Sequence, residues 1–334
     1  MLPARPAPRV RAAWSLRSRS TRRVIYQVLV LALLAALVAW MVTNTLTNMR
    51  ARGIQSGFDF LLQTAGFDIG ESPIAFESTD PYWRAFLVGL LNTLRVAVLG
   101  IVLTTILGVL LGVGRFSRNA LVRGICYAYV EVFRNIPILI QLLLWYIFMV
   151  EVLPDPQEPL VLWNMFFLSK GGLAVPMLTA AGWDIPRPGG FGVEGGWSLS
   201  PEFLTVLLGL TLYTASFVAE VVRAGIASVG QGQVEAAESI GLSRGLILRL
   251  VVLPQALRVI IPPMTNQYLN LTKNSSLAVA VGYPDIVSIA NTSLNQTGRA
   301  VECIIVIMGV YLTTSLVTSL VMNIYNRRVA IRER

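Results

Sequence analysis

Apolar runs of about twenty residues, separated by polar and basic connections, dominate the chain. A membrane-spanning helix needs that length, because each residue rises about 1.5 Å and the hydrocarbon core is about 30 Å thick. Six runs qualify, at residues 24–42, 96–113, 124–150, 204–222, 256–280 and 303–325. The pattern predicts an all-α, polytopic membrane helix bundle. The first run has a basic flank, as a signal peptide would. It exceeds the usual apolar core of about 7–15 residues, however, and continues through Val38, Ala39, Trp40 and Met41 without a clear small-residue cleavage site, so a retained anchor is expected. The connection 153–201 is rich in Pro and Gly, and its apolar stretch 161–168 is too short to span, which predicts an interfacial or re-entrant segment.

Two runs are interrupted by polar residues. Pro137 follows Asn135 and Ile136 inside the third, where it removes a backbone hydrogen bond and should kink or break the helix. Lys273, Asn274, Ser275 and Ser276 fall late in the fifth. Broken helices at membrane depth are tolerated where they line protein or a cavity, so the two breaks point to a solute pathway, with packing between helices as the plainer reading of the Asn and Ser residues. Glu131 and Arg134 are three apart and share a helix face, and Glu220 and Arg223 repeat the spacing. Each pair reads either as an ion pair that packs the bundle or as a polar site on the route of a charged solute, with Glu220 lying near the cytoplasmic end of its run. Arg84 and Arg95, near one end of the second run, are expected to snorkel to the interface.

Composition agrees with lipid as solvent: 54% of the 334 residues are hydrophobic and 13% charged. The net charge of +9 would suit a nucleic-acid binder, but the apolar runs exclude that reading. Basic loops stay cytoplasmic, and the charges sort strongly. Placing the amino terminus inside puts eighteen basic and three acidic residues in the inner connections and termini, against five basic and thirteen acidic outside. Both termini are therefore expected in the cytoplasm. The arm 1–23 should lie near anionic headgroups. With no histidine, catalysis by His and His-ligated metal sites are excluded, and neither a metal nor a cofactor is expected. Neither Lys170 nor Lys273 follows a glycine, so the chain has no Gly-Lys of a phosphate-binding loop and no ATPase of its own. Cys126 and Cys303 fall on opposite faces and read as buried thiols.

The longest inner connection, 223–258, contains Glu235, Ala236 and Ala237, then Gly241, Val251, Leu253 and Pro254. Val234 to Ile240 reads as a short helix, Gly241 as its left-handed exit and Ser243 as the cap of a second helix. The spacing resembles the EAA loop of ABC importer permeases: Glu-Ala-Ala, three residues, Gly, nine residues, a β-branched apolar residue, any residue, Leu-Pro. Gly89-Leu-Leu-Asn-Thr-Leu-Arg-Val-Ala, Glu131-Val-Phe-Arg-Asn-Ile-Pro137 and Lys273-Asn-Ser-Ser-Leu277 are similar to permeases of the histidine, glutamine and arginine uptake type. The extra first span, the segment 51–74 and the long outer loop look most like permeases of general L-amino-acid systems.

The resemblance implies a type I importer core over 84–326, preceded by an extra span and outer loop over 24–83 and followed by a tail, 327–334. It implies a permease that translocates polar L-amino acids across the bacterial inner membrane. Its partners would be an ABC ATPase dimer, a second permease (a paralogue, by the general-amino-acid likeness) and a periplasmic amino-acid-binding protein, within membrane lipid and without nucleic acid. The ATPase-coupling role carries onto Glu235, Ala236, Ala237, Gly241, Leu253 and Pro254. Glu131, Arg134, Pro137, Lys273, Asn274 and Ser275 become candidates for the substrate pathway. A secondary transporter or channel would show similar spans but has no use for an EAA loop, and an embedded enzyme lacks a catalytic set.

Overall fold

The computed structural model describes residues 19–53, 56–179, 182–190 and 192–329. Most of the basic arm and the end of the tail, expected in the cytoplasm, lie outside the described residues. The chain divides into two compact units at Ser56 and Gly57. The first is one helix, α1 (Arg19–Ala51), whose 33 residues correspond to about 50 Å of rise. Its apolar side chains, among them Leu31, Leu33 and Trp40, are exposed, as suits a helix solvated by lipid. Thr43 and Thr47 donate to the carbonyls of Ala39 and Thr43, which satisfies hydroxyls that lipid could not.

The second unit holds α2 (Tyr82–Gly114), α3 (Ala120–Asn135), α4 (Ile138–Ile147), α5 (Pro201–Ala227), α6 (Gln231–Ser239), α7 (Arg244–Ile247), α8 (Leu253–Asn274), α9 (Ile286–Thr297) and α10 (Ala300–Val329). Among the described residues five helical stretches are long and apolar enough to cross a membrane, and the bent pair α3–α4 makes a sixth, which accounts for all six runs. The fifth is longer than the hydropathy pattern suggests. From α7 the chain runs through a π turn, Leu248–Val252, into α8 and then a 3-10 turn, Ser275–Val281.

α2 and α5 are packed at backbone range. Gly100, Thr104, Gly108 and Gly112 fall four apart on the buried face of α2. A Cβ at Gly108 would stand 2.5 Å from Val218 Cγ1, and one at Gly112 would stand 2.7 Å from the Ala219 carbonyl oxygen. Small residues at this spacing let helices approach closely in a medium that supplies no hydrophobic drive between them. Gly100 faces Leu271, and Gly225 meets Ile260 in the same way, so α8 joins the pair.

Residues 161–168 are not a re-entrant segment but parts of two strands. β1 (Leu160–Leu162) and β2 (Phe166–Ser169) form a hairpin with Val161 opposite Phe167, and β3 (Gly172–Val175) and β8 (Trp197–Leu199) extend it to four strands. Two further hairpins, β4 (Met177–Thr179) with β5 (Gly182–Asp184) and β6 (Arg187–Gly189) with β7 (Gly192–Glu194), complete the insert. Burial alternates along β2, with Phe167 and Ser169 buried, the period of a pleated strand rather than a helix. Trp163 and Asn164, at φ 52° and 53°, close the first hairpin in the left-handed region. Leu168, Leu173 and Leu199 rest on the core cluster of Met149, Leu153 and Phe203, so the sheet covers that end of α4 and α5.

Residues 57–81 fold back over the same end. Phe60 is fully buried against Tyr82 and Phe86, with ring centres at 5.6 and 6.3 Å. Arg299 binds Asp59 at 3.0 Å and the Gly57 carbonyl at 2.9 Å, and the Gly57 amide donates to Glu302 at 2.6 Å.

Candidate functional site

The EAA loop is a knob built by the backbone. α5 ends at Ala227, and α6 begins four residues on, after Gly230. Gly241 takes φ 81°, its amide bonds to the Glu238 carbonyl at 2.9 Å, and the Leu242 amide reaches the Ala237 carbonyl at 3.2 Å. This two-bond closure is a Schellman turn, which satisfies the orphan carbonyls of α6 and needs a residue without a Cβ at its left-handed position. Nothing lies within 4 Å of the missing Cβ, so the requirement is conformational and not steric. Ser243 stands at the start of α7 with extended backbone, but its side chain makes no capping bond, contrary to the role its position suggests.

Ala237 is buried, whereas Glu235, Ala236 and Gly241 are exposed. Ile240, 77% exposed, and Leu246 add apolar surface to the knob. Leu253 and Pro254 open α8 where the π turn ends, a place where a missing N–H is tolerated. The knob is thus rooted in two long helices, α5 on one side and α8 on the other.

Pro137 divides the third run by 104° between α3 and α4. The freed carbonyls are collected by one side chain: Gln141 Nε2 donates to Phe133 at 2.9 Å and to Ile136 at 2.8 Å. The sequence reading did not single out Gln141, although a lone amide one turn after a proline break is a legible signal. At the second break, α8 tightens to 3-10 geometry, and the serines take up the change. Ser275 Oγ donates to the Thr272 carbonyl at 2.7 Å and Ser276 Oγ to that of Lys273 at 2.8 Å. Gly282, at φ 79°, ends the turn. The two breaks adjoin, since Ile138 and Leu142 share a core cluster with Leu271, Leu277 and Ala278.

The charged candidates are not gathered into one cluster. Among the described residues no ion pair joins Glu131 to Arg134, which corrects the expectation from their spacing. Arg134 instead lies over the Phe217 ring at 5.3 Å, and Asn135 Nδ2 donates to the Glu131 carbonyl at 2.6 Å. Lys273 is exposed and Asn274 half-buried, while Ser275 is buried. The Glu220–Arg223 pair does form, at 2.5 Å, with an unforeseen partner in Arg115 at 2.6 Å. Arg84 and Arg95 are both ion-paired. Arg84 binds Asp80 at 2.8 Å, and Arg95 binds Glu71 at 2.5 Å with only 13% of its side chain exposed. The partners lie ahead of α2 in a segment whose folding onto the bundle hydropathy does not report.

Residues 104–331 match the family described as the binding-protein-dependent transport system inner membrane component. The general L-amino acid transport system permease protein AapQ of Rhizobium johnstonii is 42% identical to this chain over 96% of each. The glutamate/glutamine/aspartate/asparagine transport system permease protein BztB of Rhodobacter capsulatus is 36% identical over 94% of this chain and 95% of its own. A crystal structure of an amino acid ABC transporter with histidines superposes with a TM-score of 0.56 at 25% identity, over 74% of this chain and 95% of that one. The family match covers both breaks and the knob: the chain belongs to the family of binding-protein-dependent transport system inner membrane components, a multi-pass membrane permease subunit and not an enzyme.

Proposed function

We propose that this permease carries L-amino acids inward across the bacterial inner membrane, driven by an ABC ATPase that docks on the knob of α6 and α7. The observation that carries the reading is the Schellman turn at Gly241, which presents Glu235, Ala236 and Ile240 on an exposed surface rooted in α5 and α8. An apolar and acidic patch of this kind, facing water beside a membrane bundle, fits a protein partner. The substrate class rests on the names of the relatives, which are general L-amino acid and glutamate/glutamine/aspartate/asparagine systems. The knob end then faces the cytoplasm with both termini, in keeping with the charge bias, and the β insert faces the periplasm, where a binding protein delivers the solute. A paralogous permease completes the pathway.

Within that pathway the adjoining breaks at Pro137 and Ser275 supply polar backbone at membrane depth. Arg134, exposed in the single chain, is placed to hold the carboxylate of a zwitterion, and Lys273 and Asn274 are the polar groups of the second break. A secondary transporter is disfavoured by the knob, which has no task without an ATPase. The test is radiolabelled amino-acid uptake by cells expressing the complete operon, beside recovery of the ATPase with this tagged chain. Uptake that competes with several L-amino acids, with the ATPase recovered, supports the reading. Uptake that persists when the ATPase is deleted contradicts it.

A further inference from the structure

Glu220 sits two turns before the end of α5 and draws together three helices. Its carboxylate accepts from Arg223 Nη2 at 2.5 Å and Nε at 3.1 Å, within α5, and from Arg115 Nη1 at 2.6 Å, at the end of α2. The Arg115 guanidinium also lies 5.2 Å from the centre of the Tyr127 ring in α3, within the range of a cation–π contact. Side-chain exposures of 13% for Arg115 and 28% for Glu220 leave the pair largely shielded from water, where its geometry is held more firmly than on an open surface.

The surroundings make this cluster a junction. Above it, the glycine seam locks α2 to α5 at backbone range, so the two helices move as one body. Below it, α5 leads from Arg223 through its last turn into the knob at α6. Beside it, α3 runs for 16 residues, about 24 Å, from Ala120 to Asn135, just before the bend at Pro137. A displacement of the knob therefore reaches α5 first, and at this end Glu220 and Arg115 offer a charged grip through which α5 and α2 hold α3. At its far end α3 meets the break that adjoins Ser275.

We propose that Glu220 is a positioning residue for energy coupling, which through Arg115 and Tyr127 converts movement of the knob into tilting of α3 about the Pro137 bend. The proposal rests on the reading of the knob as the ATPase dock. It assigns to Glu220 a task beyond packing, since an ion pair needed only for the fold would fail together with assembly.

The test is the amount of ATP hydrolysed per amino acid imported, measured in proteoliposomes holding the whole importer, beside the ATPase recovered per permease. Glu220→Gln keeps the side-chain shape and removes the charge. It should leave ATPase recovery near that of the unaltered protein and raise the ATP consumed per solute about fivefold or more, the lower end of usual coupling between distant sites. If Glu220→Gln is not recovered from the membrane, Arg115→Lys, which keeps the charge but loses the planar fork, should raise the ratio in the same direction. An unchanged ratio in either recovered variant overturns the proposal while leaving the knob reading intact. Failure of the unaltered permease to retain the ATPase overturns the knob reading itself.

Discussion

Arg95 and Glu71 form an ion pair of 2.5 Å in which the guanidinium also lies over Phe203, at 3.9 Å from the ring centre, and Trp197, at 4.7 Å. Glu71 takes a hydrogen bond from Ser200, the residue that caps α5, so one arginine ties the segment before α2, the last strand of the insert and the start of α5 together. The bundle end under the insert is held by charge buried among rings, not by apolar contact alone.

Removing one partner should cost more than removing both. Glu71→Ala strands the arginine and should destabilise the protein by roughly 2–4 kcal/mol, at or below the 3–5 found for fully buried pairs, since each side chain keeps some exposure. Glu71→Ala with Arg95→Met should recover part of that loss. Thermal unfolding in detergent checks this, and equal loss in the single and double variants would mean that the pair contributes nothing as a pair.

The glycine seam predicts a graded effect. Gly112→Ala places a Cβ against the Ala219 carbonyl and should cost about 1–3 kcal/mol by forcing α2 and α5 apart, with Gly112→Leu lost from the membrane. Gly124→Ala, in open space on α3, should be neutral or slightly stabilising. Abundance of the three variants in membranes, beside their unfolding midpoints, decides.

A large part of the bundle can be read from the chain because lipid imposes its constraint on every residue of a span. Helices of sufficient apolar length have no competing structure, so all six runs appear, and Pro137 breaks the third as its lost N–H requires. Gly241 is legible for the same local reason, a left-handed turn at the end of a short helix. The partners of Arg95, Arg115 and Arg134 are not, because Glu71, Glu220 and Phe217 approach from other elements and leave no periodic trace. The strands of the insert escape too, since strands of three or four residues carry too few alternations to distinguish from an apolar loop. The seam from Gly100 to Gly112 was written at a spacing of four and could have been read.

Asp285 gives the turn before α9 a pH dependence. It is 1% exposed, caps α9 by accepting from the Ser288 amide at 2.8 Å, and has Tyr283 and Tyr311 as titratable neighbours. Burial pushes its carboxyl up to about 7, against the lowering effect of the backbone hydrogen bonds. The unfolded value is about 3.9, so the folded state holds the proton more tightly. Stability should then be full below about pH 4, fall as the pH rises towards 7, and stay at the lower level above it, a loss on the order of 4 kcal/mol. Asp285→Asn keeps the cap and should flatten the profile. Unfolding midpoints from pH 4 to 8 in detergent give the answer, and a profile that is unchanged by the substitution contradicts the assignment.

Arg134 separates a pathway role from packing. Arg134→Ala removes a contact with Phe217 but no ion pair, so assembly should persist while uptake falls at least tenfold, a loss of about 1.4 kcal/mol or more in transition-state terms. Disappearance of the subunit from the membrane would assign the side chain to packing instead.

Gly241 carries the central claim, that this permease is driven by an ATPase through the knob of α6 and α7. Its φ of 81° costs a β-branched residue roughly 1–2 kcal/mol and would redirect α7, while no neighbour within 4 Å obstructs the substitution and the spans stay untouched. The direct measurement is ATP-driven uptake of L-amino acids, beside ATPase recovered per permease, for Gly241→Val and the unaltered chain at equal abundance in the membrane. The account predicts that Gly241→Val inserts normally, retains little ATPase and imports nothing above background. Normal ATPase recovery together with normal uptake would contradict it.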